Sequence, residues 1–220
     1  MTYALAEGVT YCIAEGRGVA LDLARDRYLG LTAGQTEALA VLTSGPETVN
    51  HVSALRSLVA QGLLVEREEP DPPLPCQYLR PSRSLSEEAH GRSGATAQDL
   101  IDAALALAST WLLLRTRPLA EIVARRRRRR RRGRGGDAAA VVENLARRFL
   151  AVRGLTPLAS VCLLDSLALA DFLARRGSDA DVVFAVGVGP FEAHAWVQAG
   201  DCALNETVHR AAMLTPILVT

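Results

Sequence analysis

Three side chains in the last third of the chain have the types and the order that thiol chemistry requires. Cys162 heads the apolar run Cys162-Leu163-Leu164-Asp165-Ser166-Leu167, His194 lies inside Ala193-His194-Ala195-Trp196-Val197, and Glu206 closes Leu204-Asn205-Glu206. A cysteine attacks as its thiolate, and imidazole is the side chain best matched to take the thiol proton near neutral pH. A carboxylate behind the imidazole holds the ring in one tautomer and supports positive charge on it. Cysteine, histidine and acid in this order point to acyl transfer through a thioester. Asp201 is the fallback for the acid, and His209, close to Glu206, an alternative base.

Each residue alone has a plainer explanation. A cysteine in an apolar helix is usually a packing residue, and a single histidine in a strand is usually structural. The combination tips the balance, because each stands at the start or centre of a regular element with an acid behind. The other cysteines lack that setting. Cys202 follows a turn with no helix end to activate it, and Cys12 and Cys76 have no histidine near them in sequence. His51 and His90 fall in polar surroundings and read as solvated.

The elements that must position these groups are legible in outline. Ser160, or Thr156 followed by Pro157, reads as the N-cap of a helix that begins near Cys162 and stops at Gly177. A thiol in the first helical turn feels unpaired N–H groups and the positive end of the helix dipole, which favour the thiolate. Strands are expected over 180–188, 194–199 and 203–206. Helices are expected over 96–114, from Leu119 to Ala124 after Pro118, and over 138–152 after a cap at Asp137. Val141, Val142, Leu145, Phe149 and Leu150 form the inner face of the last of these.

The first 68 residues read as a separate unit. Val9–Ile13, Val19–Leu23 and Arg27–Leu31 alternate as strands, Thr32 caps a helix through Gln35 to Leu42, and a second helix runs from about Val49 to Gln61. Leu63–Glu66 closes the unit as a strand, giving a winged-helix-like pattern. The proline-rich and polar stretch 69–95 reads as a linker, and 96–220 as the second domain. The whole is an α+β chain, with helices first and an antiparallel sheet last in its second domain.

Composition narrows the classes. At 220 residues the chain has room for two small domains, and its hydrophobic fraction of 49% is ordinary. Four scattered cysteines make neither a disulfide framework nor a metal site. The N-terminus shows no export signal and the longest apolar segment, Ile101–Leu114, is too short to span a bilayer, so a reducing cytoplasm is expected. All 25 basic residues are arginine, and eight form the unbroken run Arg125–Arg132; without that run the chain is net acidic. Interleaved aromatics for base stacking are lacking and the acidic body repels nucleic acid, so the run reads as a solvated, self-repelling stretch rather than a phosphate clamp.

Taken together, the Cys162–Leu169 run, the Pro190–Val197 block with its Ala-His-Ala-Trp-Val core, Leu204-Asn205-Glu206 and the closing Thr215–Val219 resemble the transglutaminase-like leader peptidase of lasso peptide biosynthesis. The first domain resembles the small leader-recognition element related to the pyrroloquinoline-quinone chaperone PqqD. Together they look like the fused B protein of lasso clusters. The resemblance implies a transglutaminase/papain-like cysteine peptidase with Cys162 as nucleophile and His194 as base. Its third member is normally aspartate, and here that position is Glu206. It further implies that a leader strand adds along Arg27, Tyr28 and Leu29, with Leu55, Leu58 and Val59 as the other wall. No cofactor or metal is implied. The implied partners are a precursor peptide and a separate ATP-dependent, asparagine-synthetase-like cyclase, in keeping with the lack of a visible ATP-binding loop. Three rivals remain: an acyltransferase that uses an amine in place of water, a winged-helix nucleic-acid binder, and a catalytically inactive binding protein, since Glu206 departs from the aspartate of the pattern.

Overall fold

The computed structural model describes residues 2–44, 51–68, 73–88, 94–132 and 139–220. In the N-terminal part, β1 (Thr2–Leu5), β2 (Val9–Ala14), β3 (Arg17–Asp22) and β4 (Arg27–Gly30) precede α1 (Ala33–Ser44) and α2 (Val52–Ala60), and β5 (Leu64–Arg67) follows. β2, β3 and β4 form an antiparallel meander, while β1 pairs with β5 in a separate two-stranded sheet. The sequence reading had missed β1, whose four residues carry little alternation by themselves. Its three-strand, winged-helix-like pattern therefore becomes a meander plus a second small sheet. The stretch 45–50, where the second helix was expected to begin, lies outside the described residues.

Successive side chains of β2 and β3 point to opposite faces, and residues on both faces are buried. Val9, Tyr11 and Ala20 pack with Ala38, Leu39, Leu55 and Leu58 of α1 and α2. Cys12, Ala14, Val19 and Leu21 point the other way and join the core of the C-terminal part. α1 starts from a reciprocal cap: the Gln35 N–H donates to Thr32 Oγ1 (3.3 Å) and the Thr32 N–H to Gln35 Oε1 (3.0 Å).

The C-terminal part is built on a five-stranded sheet of order β10-β7-β8-β9-β6. β7 (Asp181–Val188) and β8 (Phe191–Ala199) form its central hairpin, β9 (Cys202–Ala203) follows, and β10 (Thr215–Val219) pairs antiparallel with β7. α6 (Cys162–Arg175) packs on one face against Ala195 and Val197, with α3 (Ala97–Thr116) and α5 (Ala139–Arg153) beyond it. The short α7 (Val208–Met213) covers the other face through Ala211, against Trp196 and Val183. Gly177, at φ +82°, follows the C-cap of α6, where a left-handed residue costs glycine little.

Several expectations change here. The stretch read as a linker is partly built into the fold: β6 (Arg83–Ser84) pairs in parallel with β9, Leu85 is buried, and Tyr78 stacks edge-on against Trp196. The strand expected over 203–206 ends at Ala203, and after Leu204, whose N–H still bonds β8, the chain turns away from the sheet. The inner stripe of α5 is Val142, Ala146, Phe149 and Val152, while Val141 is 48% exposed. The expected caps and breakers between 133 and 138 lie outside the described residues.

The helix after Pro118 does not stop before the arginines: α4 runs from Leu119 to Arg132. Acids on neighbouring elements offset part of the self-repulsion. Arg126 donates to the Ala180 carbonyl and lies 3.6 Å from Asp179, and Arg129 lies 3.1 Å from Asp171. α3 is also longer than expected. At 20 residues with a mean hydropathy of 1.3, it is long and apolar enough by length and composition to cross a bilayer. In the fold Ala103, Ala106, Leu107 and Thr110 turn inward, while Ile101, Leu105 and Leu112 are exposed.

The N-terminus of α3 is anchored by a buried acid. Asp99, 0% exposed, completes a capping box with Thr96 and receives Arg148 (2.8 Å) and Arg176 (2.9 Å). Burial by itself would raise its pKa, but the Thr96 and Arg148 hydrogen bonds outweigh it and the carboxyl sits below its ordinary value.

Candidate active site

Cys162 is the first residue of α6, and the N-cap is Val161 in an extended conformation (φ −134°, ψ 127°) with no side-chain cap bond. Neither Ser160 nor Thr156 caps the helix as expected. The Ser160 hydroxyl donates to Asp165 Oδ2 (2.5 Å) and Thr156 Oγ1 to the Arg153 carbonyl (2.7 Å). Arg153 holds Asp165 in turn, at 2.7 Å, so the acid nearest the helix start is neutralised by a cation. The first intrahelical bond of α6 is Asp165 N–H to the Val161 carbonyl. The earlier N–H groups are those a helix start leaves to other acceptors.

His194 sits in β8 opposite Ala185 of β7, in a ladder that fixes its register. Its Nε2 lies 2.5 Å from Glu206 Oε2, so Nδ1 is the nitrogen left for the thiol. The imidazole and carboxylate side chains retain 20% and 16% exposure. Glu206 is held on every side. Its Oε1 accepts from the Thr207 N–H (2.8 Å) and hydroxyl (3.3 Å), and its main-chain carbonyl accepts from Ser84 Oγ (2.6 Å).

The electrostatics of the pair are complementary. The hydrogen bond to His194 is the main reason the Cys162 thiol sits below its ordinary pKa; burial opposes it, and the N–H groups of Ala195 and Leu163 assist. The same hydrogen bond raises His194 above its ordinary value, with the Glu206 hydrogen bond adding to it against burial. Both shifts favour a thiolate–imidazolium pair. The other thiols move the opposite way. Burial pushes Cys12 up to about 12 and Cys202 up to about 11, and it raises Cys76 as well.

The alternative residues stay apart from this cluster. Asp201 is exposed in the turn between β8 and β9 and accepts from Ser82 Oγ (2.6 Å). His209 is exposed on α7. Sequence reasoning missed Ser84 and Thr207 as supports of Glu206. Ser84 lies in a stretch that reads as linker, and its partnership depends on a parallel strand pair that local pattern cannot reveal.

The residues expected to bind a leader divide. β4 is an edge of the meander, and among the described residues no strand pairs with its outer side. Arg27 lies there 3.7 Å from buried Asp22, and Leu29 packs partly buried on the N-terminal core. Tyr28 packs against Phe191 at the start of β8, ring centroids 5.7 Å apart. Leu55 and Leu58 are 1% and 0% exposed, so they are core residues and line no groove, whereas Val59 is partly buried. Each buried leucine contributes about 1.5–3 kcal/mol to stability, which accounts for its presence. Among the described residues, no group of three His, Cys, Asp or Glu side chains is placed to hold a metal ion.

A cysteine at a helix start, a histidine on the adjoining strand and an acid in the following loop, all within an α+β fold, describe a thiol acyl-transfer class. The model of the Transglutaminase-like superfamily matches residues 103–219, and the chain belongs to that superfamily, which includes cysteine peptidases. No curated protein and no solved structure matches the chain.

Proposed function

We propose that this chain is a fused leader-binding protein and cysteine leader peptidase of the lasso peptide B type. The observation that carries the reading is the thiol–imidazole–carboxylate cluster of Cys162, His194 and Glu206 in a transglutaminase-like domain that also packs against an open strand edge. β4 offers unpaired backbone groups to an extended peptide, and Tyr28 links that strand to the one bearing His194. An N-terminal unit of residues 1–68 and a C-terminal unit that takes in β6 as well as residues 96–220 suit this division of labour.

The arrangement of Cys162, His194 and Glu206 supports the following chemistry. The Cys162 thiolate adds to the carbonyl at the leader–core junction, and the oxyanion that forms lies near the N–H groups at the head of α6. The His194 imidazolium gives its Nδ1 proton to the departing amine, the C–N bond breaks, and the leader remains as a thioester on Cys162. A water molecule, deprotonated by His194, then attacks the thioester; leader acid departs and the thiol is restored. Glu206 keeps Nε2–H engaged throughout, so the ring presents Nδ1 to each step. The freed core amine is the group an ATP-dependent cyclase partner would join to an acidic side chain.

The test is incubation of the purified chain, and of Cys162→Ala, with a synthetic leader–core peptide under mass spectrometry. Free leader acid and free core from the wild type alone support the reading. A product linked to an added amine, at the expense of hydrolysis, favours the acyltransferase reading. Equal cleavage by Cys162→Ala rejects thiol catalysis altogether.

A further inference from the structure

The three reacting side chains come from segments distant in the chain: the head of α6, the middle of β8 and the loop after β9. One small polar cluster touches all three. Ser166 Oγ donates to the Ala195 carbonyl (2.9 Å) and accepts from Asn205 Nδ2 (3.1 Å). Asn205 Oδ1 accepts from the Val197 N–H (2.7 Å). Ser166 follows Cys162 by one helical turn, Ala195 follows His194 directly, and Asn205 directly precedes Glu206.

This placement has no explanation in helix formation or core packing. Every other buried residue of α6 is apolar, and Ser166 is 0% exposed. A serine inside a helix ordinarily turns its hydroxyl back to a carbonyl of its own helix. Here it reaches across to β8 instead. An alanine there would suit the helix better, and a buried hydroxyl is tolerated because both of its bonds are made.

Asn205 acts at the point where β9 gives out. The last main-chain bond of that ladder is Leu204 N–H to the Val197 carbonyl (2.8 Å). The side-chain oxygen of Asn205 takes the N–H of the same Val197. The sheet edge is thereby satisfied although the backbone has left it, which frees Glu206 to swing toward His194.

We propose that Ser166 and Asn205 are positioning residues that set the mutual register of nucleophile, base and acid. The inference rests on the reading of Cys162, His194 and Glu206 as the reacting cluster. Without the Ser166 hydroxyl, the Ala195 carbonyl and the Asn205 amide each lose a partner. The strand bearing His194, whose next N–H supports the sulfur, is then no longer tied to the helix bearing Cys162.

The experiment measures the pH dependence of Cys162 alkylation by iodoacetamide in the full chain, with each cysteine followed separately by peptide mass mapping. It requires no peptide substrate. In Ser166→Ala and Asn205→Ala the acid limb should move up toward that of an ordinary thiol, by about one pH unit. Alkylation on that limb would then be about tenfold slower. Leu173→Ala, a cavity variant at the far end of the same helix, should lose stability and keep the wild-type limb. Should Ser166→Ala not fold, Asn205→Ala at its half-buried position carries the same test. Folded variants with the wild-type limb overturn the proposal. A wild-type Cys162 that alkylates like an ordinary thiol overturns the underlying reading of the cluster instead, and the two failures are thus told apart.

Discussion

The ring of Tyr28 on β4 is inclined by 60° to that of Phe191 on β8, with centroids 5.7 Å apart. The contact joins the open edge of the N-terminal meander to the strand that carries His194. Aromatic pairs of this kind contribute about 0.5–1.5 kcal/mol beyond the area they bury. If the leader lies along β4, Tyr28→Ala should raise KM for a full leader–core peptide several-fold. The rate of Cys162 alkylation should stay unchanged. Slower alkylation at unchanged KM would place Tyr28 in the chemistry rather than in recognition.

The opposed shifts of Cys162 and His194 set a pH window. The thiolate–imidazolium pair is populated above the lowered pKa of the thiol and below the raised pKa of the imidazole. kcat/KM should therefore follow a bell, with its acid limb below the ordinary thiol value and its alkaline limb above the ordinary histidine value. Because the groups are coupled, both limbs belong to the pair. A single rise with the midpoint of a free thiol would count against the pair.

Glu206 tests whether charge or shape matters behind the imidazole. Glu206→Gln keeps the length and removes the charge, so kcat should fall about 10²–10⁴-fold. Glu206→Asp keeps the charge but is one methylene short of a position now held at 2.5 Å. It should lie between the wild type and the amide. Steady-state rates of precursor cleavage separate the three, and an unchanged Gln variant would remove Glu206 from the mechanism.

Asp99 should matter for stability and not for catalysis. Asp99→Ala removes the capping carboxylate and the buried partner of Arg148 and Arg176, although Arg176 keeps Asp102 at 2.7 Å, and a loss of about 1.5–3 kcal/mol is expected in urea denaturation. The folded pKa of this acid is depressed, so its stabilisation is fully present above the unfolded carboxylate value. It is lost as pH falls through the lower folded value. In the variant, the acid-side decline of stability should be shallower than in the wild type.

Local chemistry made part of this protein readable from its sequence. A helix starting near Cys162, a strand around His194 and the cap at Thr32 all depend on neighbours a few residues away, and such signals survive in a one-dimensional chain. The acid was within reach for the same reason: Glu206 follows a short turn after the histidine strand. What lay beyond reach was everything made by pairing at long range. β1 has meaning only opposite β5 and β6 only beside β9, so neither stood out, and the stretch holding Ser84 read as linker. Leu55 and Leu58 share the helical spacing of a groove wall and of a core, and burial alone assigns them to the core.

Sequence thus determined which groups are available for thiol chemistry and which local elements carry them. Tertiary structure decided their mutual distances, which pKa values move, and that a buried serine on one element bonds residues beside the other two. The reason is physical: hydrogen bonds and charge interactions act over a few ångströms of space, whatever the separation along the chain.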